Sequence, residues 1–195
     1  MESRLPLPHG GWLTQHSRYY EYLRFQLEDL LACQEAVDSN WPEPGVAFIG
    51  AELYPDLHRL CRRRDATADS VVVFAAMTVE ATINYYGARE LGADTFEQDY
   101  ERLPLVRKLR ALIKACEGLE LEPHHPLIEV TQKLGARRNA LVHPKVRQVF
   151  ESYAPSEHAG TPAVKKANEV IKECDDFLER FFEIAKSASG LDPRP

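Results

Sequence analysis

The stretch SVVVFAAMTVEATIN, residues 70–84, decides the fold. Taken alone, Val71 to Val73 could form a strand, because β-branched side chains suit a pleated surface. A strand needs a partner, however, and no partner strand is evident anywhere in the chain. The apolar residues continue through Phe74, Ala75, Ala76, Met77, Val79 and Ile83, which covers most sides of a helix. A helix that is apolar nearly all round is a buried one, so residues 70–91 are expected to form the central helix. Its polar interruptions, Glu80 and Asn84, lie one turn apart on a single face. The simplest reading gives that face to water.

Working outward, Asp65-Ala-Thr-Ala-Asp69 is suited to start this helix, with acidic groups favourable at a helix N-terminus. A separate short helix is therefore expected over Glu52 to Arg63. Before it, Asn40 to Gly45 holds two prolines and a glycine and reads as a connector. From Ser17, Tyr19, Leu23, Leu27, Leu30 and Leu31 recur at three- and four-residue spacing, a helical stripe. Residues 1–16 read as an irregular arm. Downstream, Pro104 opens a helix striped by Leu105, Leu109, Leu112 and Cys116 and closed by Gly118. His125-Pro126 opens another, with Leu127, Val130, Leu134 and Leu141 inward. The last, from Thr161-Pro162, carries Val164, Ala167, Ile171, Cys174, Leu178, Phe181 and Ala185. The expected fold is all-α, an antiparallel bundle of four to five main helices forming one domain over residues 17–189, with a loose tail at 190–195.

The chain has 195 residues, 44% hydrophobic and 28% charged, an ordinary globular balance. The run from Val71 to Val79 is too short to cross a bilayer, and no basic-then-apolar leader opens the sequence, so a cytoplasmic address is the default. Cys33, Cys61, Cys116 and Cys174 form no CxxC pair; neither a zinc site nor a disulfide framework is expected. A net charge of −6 argues against a general nucleic-acid coat but leaves room for a local basic site. Basic residues cluster at His58 to Arg64, Arg107 to Lys114 and Arg137 to Arg147. The first two read as solvated helix faces.

The third cluster, KLGARRNALVHPK at residues 133–145, differs. Arg138 lies about 40° round the axis from Leu134 and about 60° from Leu141, so it falls within the apolar stripe. A guanidinium there is costly unless it pairs with an acid or lines a cleft, and Glu80 is a candidate partner. His143 on an unbroken helix would point about 140° away from Arg138. Pro144 disfavours the α conformation at His143, so the helix is expected to end at Val142 or His143, freeing the imidazole. His124-His125, between two prolines, reads as a loop entering a helix rather than a metal site. The usual signatures GxGxxG, P-loop, HExxH and GxSxG are missing.

Arg138-Asn139-Ala-Leu-Val-His143 resembles the R-x4-6-H motif of HEPN domains, with a polar residue after the arginine. The setting is similar too, near the end of a late helix with one long helix after it. The resemblance covers about residues 66–188. Spacing alone is not selective, because Arg4-Leu-Pro-Leu-Pro-His9 also fits, in a proline-rich arm with leucine at the polar position. The resemblance implies a metal-independent endoribonuclease that needs no cofactor and acts in a toxin–antitoxin, phage-defence or RNA-processing setting. It implies His143 as acid/base, Arg138 as phosphate clamp, and Asn139 and Lys145 as substrate-binding residues. It further implies single-stranded RNA as substrate, a homodimer that joins two motifs in one cleft, and room for an antitoxin partner. The alternative is a HEPN-like domain that binds RNA or protein, or regulates, without cutting.

Overall fold

The computed structural model describes residues 15–42, 52–142, 162–186, 190 and 192–194. Among them the secondary structure is entirely helical: α1 (His16–Ser39), α2 (Pro55–Leu91), α3 (Ala93–Asp99), α4 (Leu105–Glu117), α5 (Pro126–Val142) and α6 (Pro162–Ile184). This is the all-α bundle expected, with five main helices and one short one.

The central segment is longer than the sequence suggested. No break separates residues 63 and 70; one helix of 37 residues runs through. The segment expected to act as a cap instead continues the helix, because it holds two alanines and no glycine or proline. Thr67 Oγ1 donates back to Arg63 O at 2.9 Å and Ser70 Oγ to Ala66 O at 3.0 Å, so these hydroxyls are spent inside the helix rather than on an N-terminus. The apolar window of α2 is long enough to cross a membrane by length and composition, but 56% of it is buried within the bundle. That is the environment of a core helix.

Contacts fix the helix directions. His16 stacks on Tyr85, Tyr22 meets Phe74, and Val37 packs with Leu57 and Cys61, so α1 runs antiparallel along α2. Arg138 of α5 meets Glu80, while Val142 and Ser70 line a common cleft, so α5 is also antiparallel to α2. By contrast α6 runs parallel to α2, since Cys174 Sγ lies 3.8 Å from Ala75 O and Phe181 meets Tyr86 edge-on. The core joins Leu23 and Leu30 of α1, Val72, Val79 and Ile83 of α2, Leu109 and Leu112 of α4, Leu134 of α5 and Phe177 and Leu178 of α6.

Three local expectations change. Leu31 is 59% exposed, because the inner face of α1 follows His16, Tyr20, Leu23, Leu30 and Val37 and leaves Leu31 a further 100° round the axis. Helix α3 was not expected; it follows Gly92 directly and buries one residue, Phe96. The tail is not loose throughout, since Arg194 Nη1 donates to Asp175 O at 3.3 Å and its guanidinium grips Asp192. Gly118 ends α4 as expected, with φ +67° and its N–H on Lys114 O.

Among the described glycines, Gly87 alone has side chains packed where a Cβ would stand. A Cβ there would lie 2.6 Å from Phe96 Cδ2 and 2.8 Å from Leu112 Cδ2. A helical Gly→Ala change ordinarily stabilises by about 1 kcal/mol. Here overpacking wins, and Gly87→Ala is expected to lower stability by about 1–3 kcal/mol, measured by urea unfolding.

Candidate functional site

Helix α5 buries Leu127, Ile128, Val130, Thr131 and Leu134. Its start is set by His125, whose Nδ1 accepts from the Leu127 backbone N–H at 3.2 Å. That bond gives His125 a capping role. Four residues beyond Leu134, on the same face, comes Arg138. Its side chain is 31% exposed, and Nη2 donates to Glu80 Oε2 at 3.0 Å. Nη1 donates to Asn139 Oδ1 at 3.0 Å. The guanidinium is therefore held from two sides, by the next residue in its own helix and by the central helix. Glu80 itself is 38% exposed, so the ion pair adds about 1 kcal/mol or less to stability. Its larger effect is geometric, because two hydrogen bonds fix the plane of the fork.

Arg138 and Glu80 stand on the wall of a groove of about 400 Å³. The start of α1 supplies Gln15 and Tyr19; α2 supplies Val73, Met77, Glu80, Ala81 and Asn84; α5 supplies Arg138 and Val142. Val73, Met77, Glu80 and Asn84 are half-buried positions of α2, at spacings of four, three and four, and form one open stripe between α1 and α5. The face of Glu80 and Asn84 is therefore not simply given to water. Glu80 holds Arg138, and Asn84 Oδ1 accepts from Lys108 Nζ at 2.8 Å.

The first two basic clusters are for the most part solvated faces, with Arg59, Arg62, Arg63, Arg107 and Lys114 exposed, but each holds one buried cation. Lys108 is 3% exposed and Arg64 fully buried, the latter with Nε on Asp65 Oδ1 at 3.0 Å. Both sit on helix positions facing the core, hidden in sequence by the basic residues beside them. Arg137 turns the other way from Arg138 and bonds Glu169 and Glu173 of α6 at 3.0 and 2.9 Å. It ties α5 to α6. The signal for this was the four-residue spacing of those two acids on α6.

Of the residues singled out in sequence, the structure brings Arg138, Asn139 and Glu80 together. His143, Pro144 and Lys145 lie outside the described residues, as does the expected helix break. Among the described residues no group of three or more His, Cys, Asp or Glu could hold a metal ion. Cys33, Cys61 and Cys174 are buried, and all four cysteines are free thiols. Burial pushes the Cys174 thiol well above its ordinary pKa, so it stays protonated.

No family model, no curated protein and no solved structure matches this chain.

Proposed function

We propose that this chain is a metal-independent endoribonuclease of HEPN type, with Arg138 holding the scissile phosphate and His143 moving the proton. The observation that supports it is the setting of Arg138: a guanidinium fixed by Asn139 and Glu80 on the wall of a groove. A guanidinium has five N–H donors, and those two bonds leave three. A bidentate phosphate contact needs two. His143 follows the groove-lining Val142 directly in sequence.

In RNA cleavage the 2′-oxygen forms a bond to the adjacent phosphorus while the bond from phosphorus to the 5′-oxygen breaks. A base takes the 2′-hydroxyl proton, and an acid delivers one to the departing 5′-oxygen. Imidazole can do either near neutral pH. Arg138 would stabilise the added negative charge on the non-bridging oxygens. Two protons move but each chain offers one motif histidine, so the reading calls for a dimer with both His143 side chains bordering one cleft. Asn139 orients the fork, and Lys145 would meet a flanking phosphate.

Purified protein should cut single-stranded RNA in the presence of EDTA and leave 2′,3′-cyclic phosphate ends. It should sediment as a dimer at micromolar concentration. Cleavage only on adding Mg²⁺ or Mn²⁺ would assign the chemistry to other residues. One observation favours a second reading, a domain that binds without cutting: the Glu80 carboxylate already neutralises Arg138. A folded dimer that leaves RNA intact would select it.

A further inference from the structure

The groove beside Arg138 carries a second set of polar groups that a phosphate contact leaves unused. Lys108 is buried, yet among the described residues its ammonium makes no ion pair; it donates to Asn84 Oδ1 and lies 5.9 Å from the centre of the Phe96 ring. Burial lowers its pKa, and the charges of Glu80 and Glu101 oppose that shift. An ammonium can only donate, so Asn84 must turn its carbonyl oxygen toward Lys108. The other end of that amide, the NH₂ group, is thereby the donor that Asn84, a groove-lining residue, can offer a ligand. One turn back, Glu80 commits Oε2 to Arg138 and keeps Oε1 as an acceptor.

The groove thus presents a donor and an anionic acceptor one helical turn apart, beside Val73, Met77 and Tyr19. The ligand that complements it is flat, apolar on its faces, and carries an amino group and a ring acceptor on its edge. Nucleobases are such rings, and unstacked bases of single-stranded RNA are read in this way, by aromatic contact and edge hydrogen bonds. Carboxylates accept from the cytosine amine, and side-chain amides pair with adenine. Uracil's edge donor is a ring N3–H flanked by two carbonyl oxygens, which repel a carboxylate, so uracil suits Glu80 less well than an exocyclic amine does.

We infer that this groove is a base-binding subsite for single-stranded RNA, in which Asn84 and Glu80 select an amino-bearing base over uracil and Lys108 is the positioning residue that fixes Asn84. The inference rests on reading Arg138 as the phosphate holder. The test uses 2′-O-methyl octamers of A, C and U, which lack the attacking hydroxyl, so binding is read apart from cleavage. By fluorescence anisotropy the A and C octamers should bind the full chain about tenfold more tightly than the U octamer.

Asn84→Ala should erase that difference while leaving binding of the U octamer in place. Lys108→Met, which keeps the volume and removes a buried charge, should do the same in a protein whose thermal melt shows it folded. If Lys108→Met does not fold, Asn84→Ala alone decides. Equal binding of all three octamers by the wild type, or a preference that survives Asn84→Ala, overturns the subsite. A preference that survives in folded Lys108→Met overturns the role of Lys108. If the octamers bind with the expected preference but RNA is never cut, the subsite stands and the ribonuclease reading falls.

Discussion

His143→Ala is expected to slow RNA cleavage by at least about 100-fold, the usual scale for losing a general acid or base. The loss should fall on kcat, because the imidazole acts on protons that move in the transition state and adds little to ground-state binding. Binding of a 2′-O-methyl oligonucleotide should therefore be nearly unchanged, and that separates lost chemistry from lost affinity. In the wild type, a composite site with two histidines should give a bell-shaped dependence of rate on pH, since one imidazole must be neutral and the other charged. A His143→Ala protein that cuts at the wild-type rate would remove this residue from the mechanism.

Arg138→Lys is expected to cost a similar factor, although the charge is kept. A lysine ammonium is a point charge and cannot reproduce a planar fork that reaches Asn139, Glu80 and a phosphate together. Circular dichroism should show the variant folded. The Glu80 pair is about one-third exposed on both sides, and losing it costs about 1 kcal/mol or less. Stability and activity are thus separable at this residue. Asn139→Ala, which removes one of two restraints on the guanidinium, should lose less than Arg138→Lys. If Arg138→Lys cleaves RNA as the wild type does, the guanidinium has no part in the chemistry.

The helical class and the inward turn of Arg138 were legible in the sequence because both follow from the period of 3.6 residues. Leu134, Arg138 and Leu141 share a face by arithmetic, and Glu80 interrupts an otherwise apolar helix. The pairing of those two residues needed the third dimension only for its distance. The continuity of α2 was not legible, because Thr, Asp and Ser suit caps and helix interiors alike. Which one they form depends on where their hydroxyls bond, and Thr67 and Ser70 bond backward. Lys108 was missed for a related reason. A lysine beside Arg107 and two residues before Arg110 reads as surface, and its contacts with Phe96 and Asn84 form only in the folded bundle. The parallel course of α6 beside α2 has no signature in one-dimensional periodicity.

That parallel course sets the order in which the bundle closes. Helices α1 and α2 are consecutive in sequence and can zip as a local hairpin. Helix α6 meets α2 across a sequence separation of 99 residues, from Ala75 to Cys174. Loop-closure entropy grows with the logarithm of that span, so docking of α6 on α2 is less favoured early in folding than the α1–α2 hairpin. Cys174 is fully enclosed between the two helices. Its thiol is shielded from alkylating reagents while α6 is seated and open to them once it lifts. The chain therefore carries its own chemical clock, and the rate of Cys174 labelling measures how often the last helix leaves the bundle.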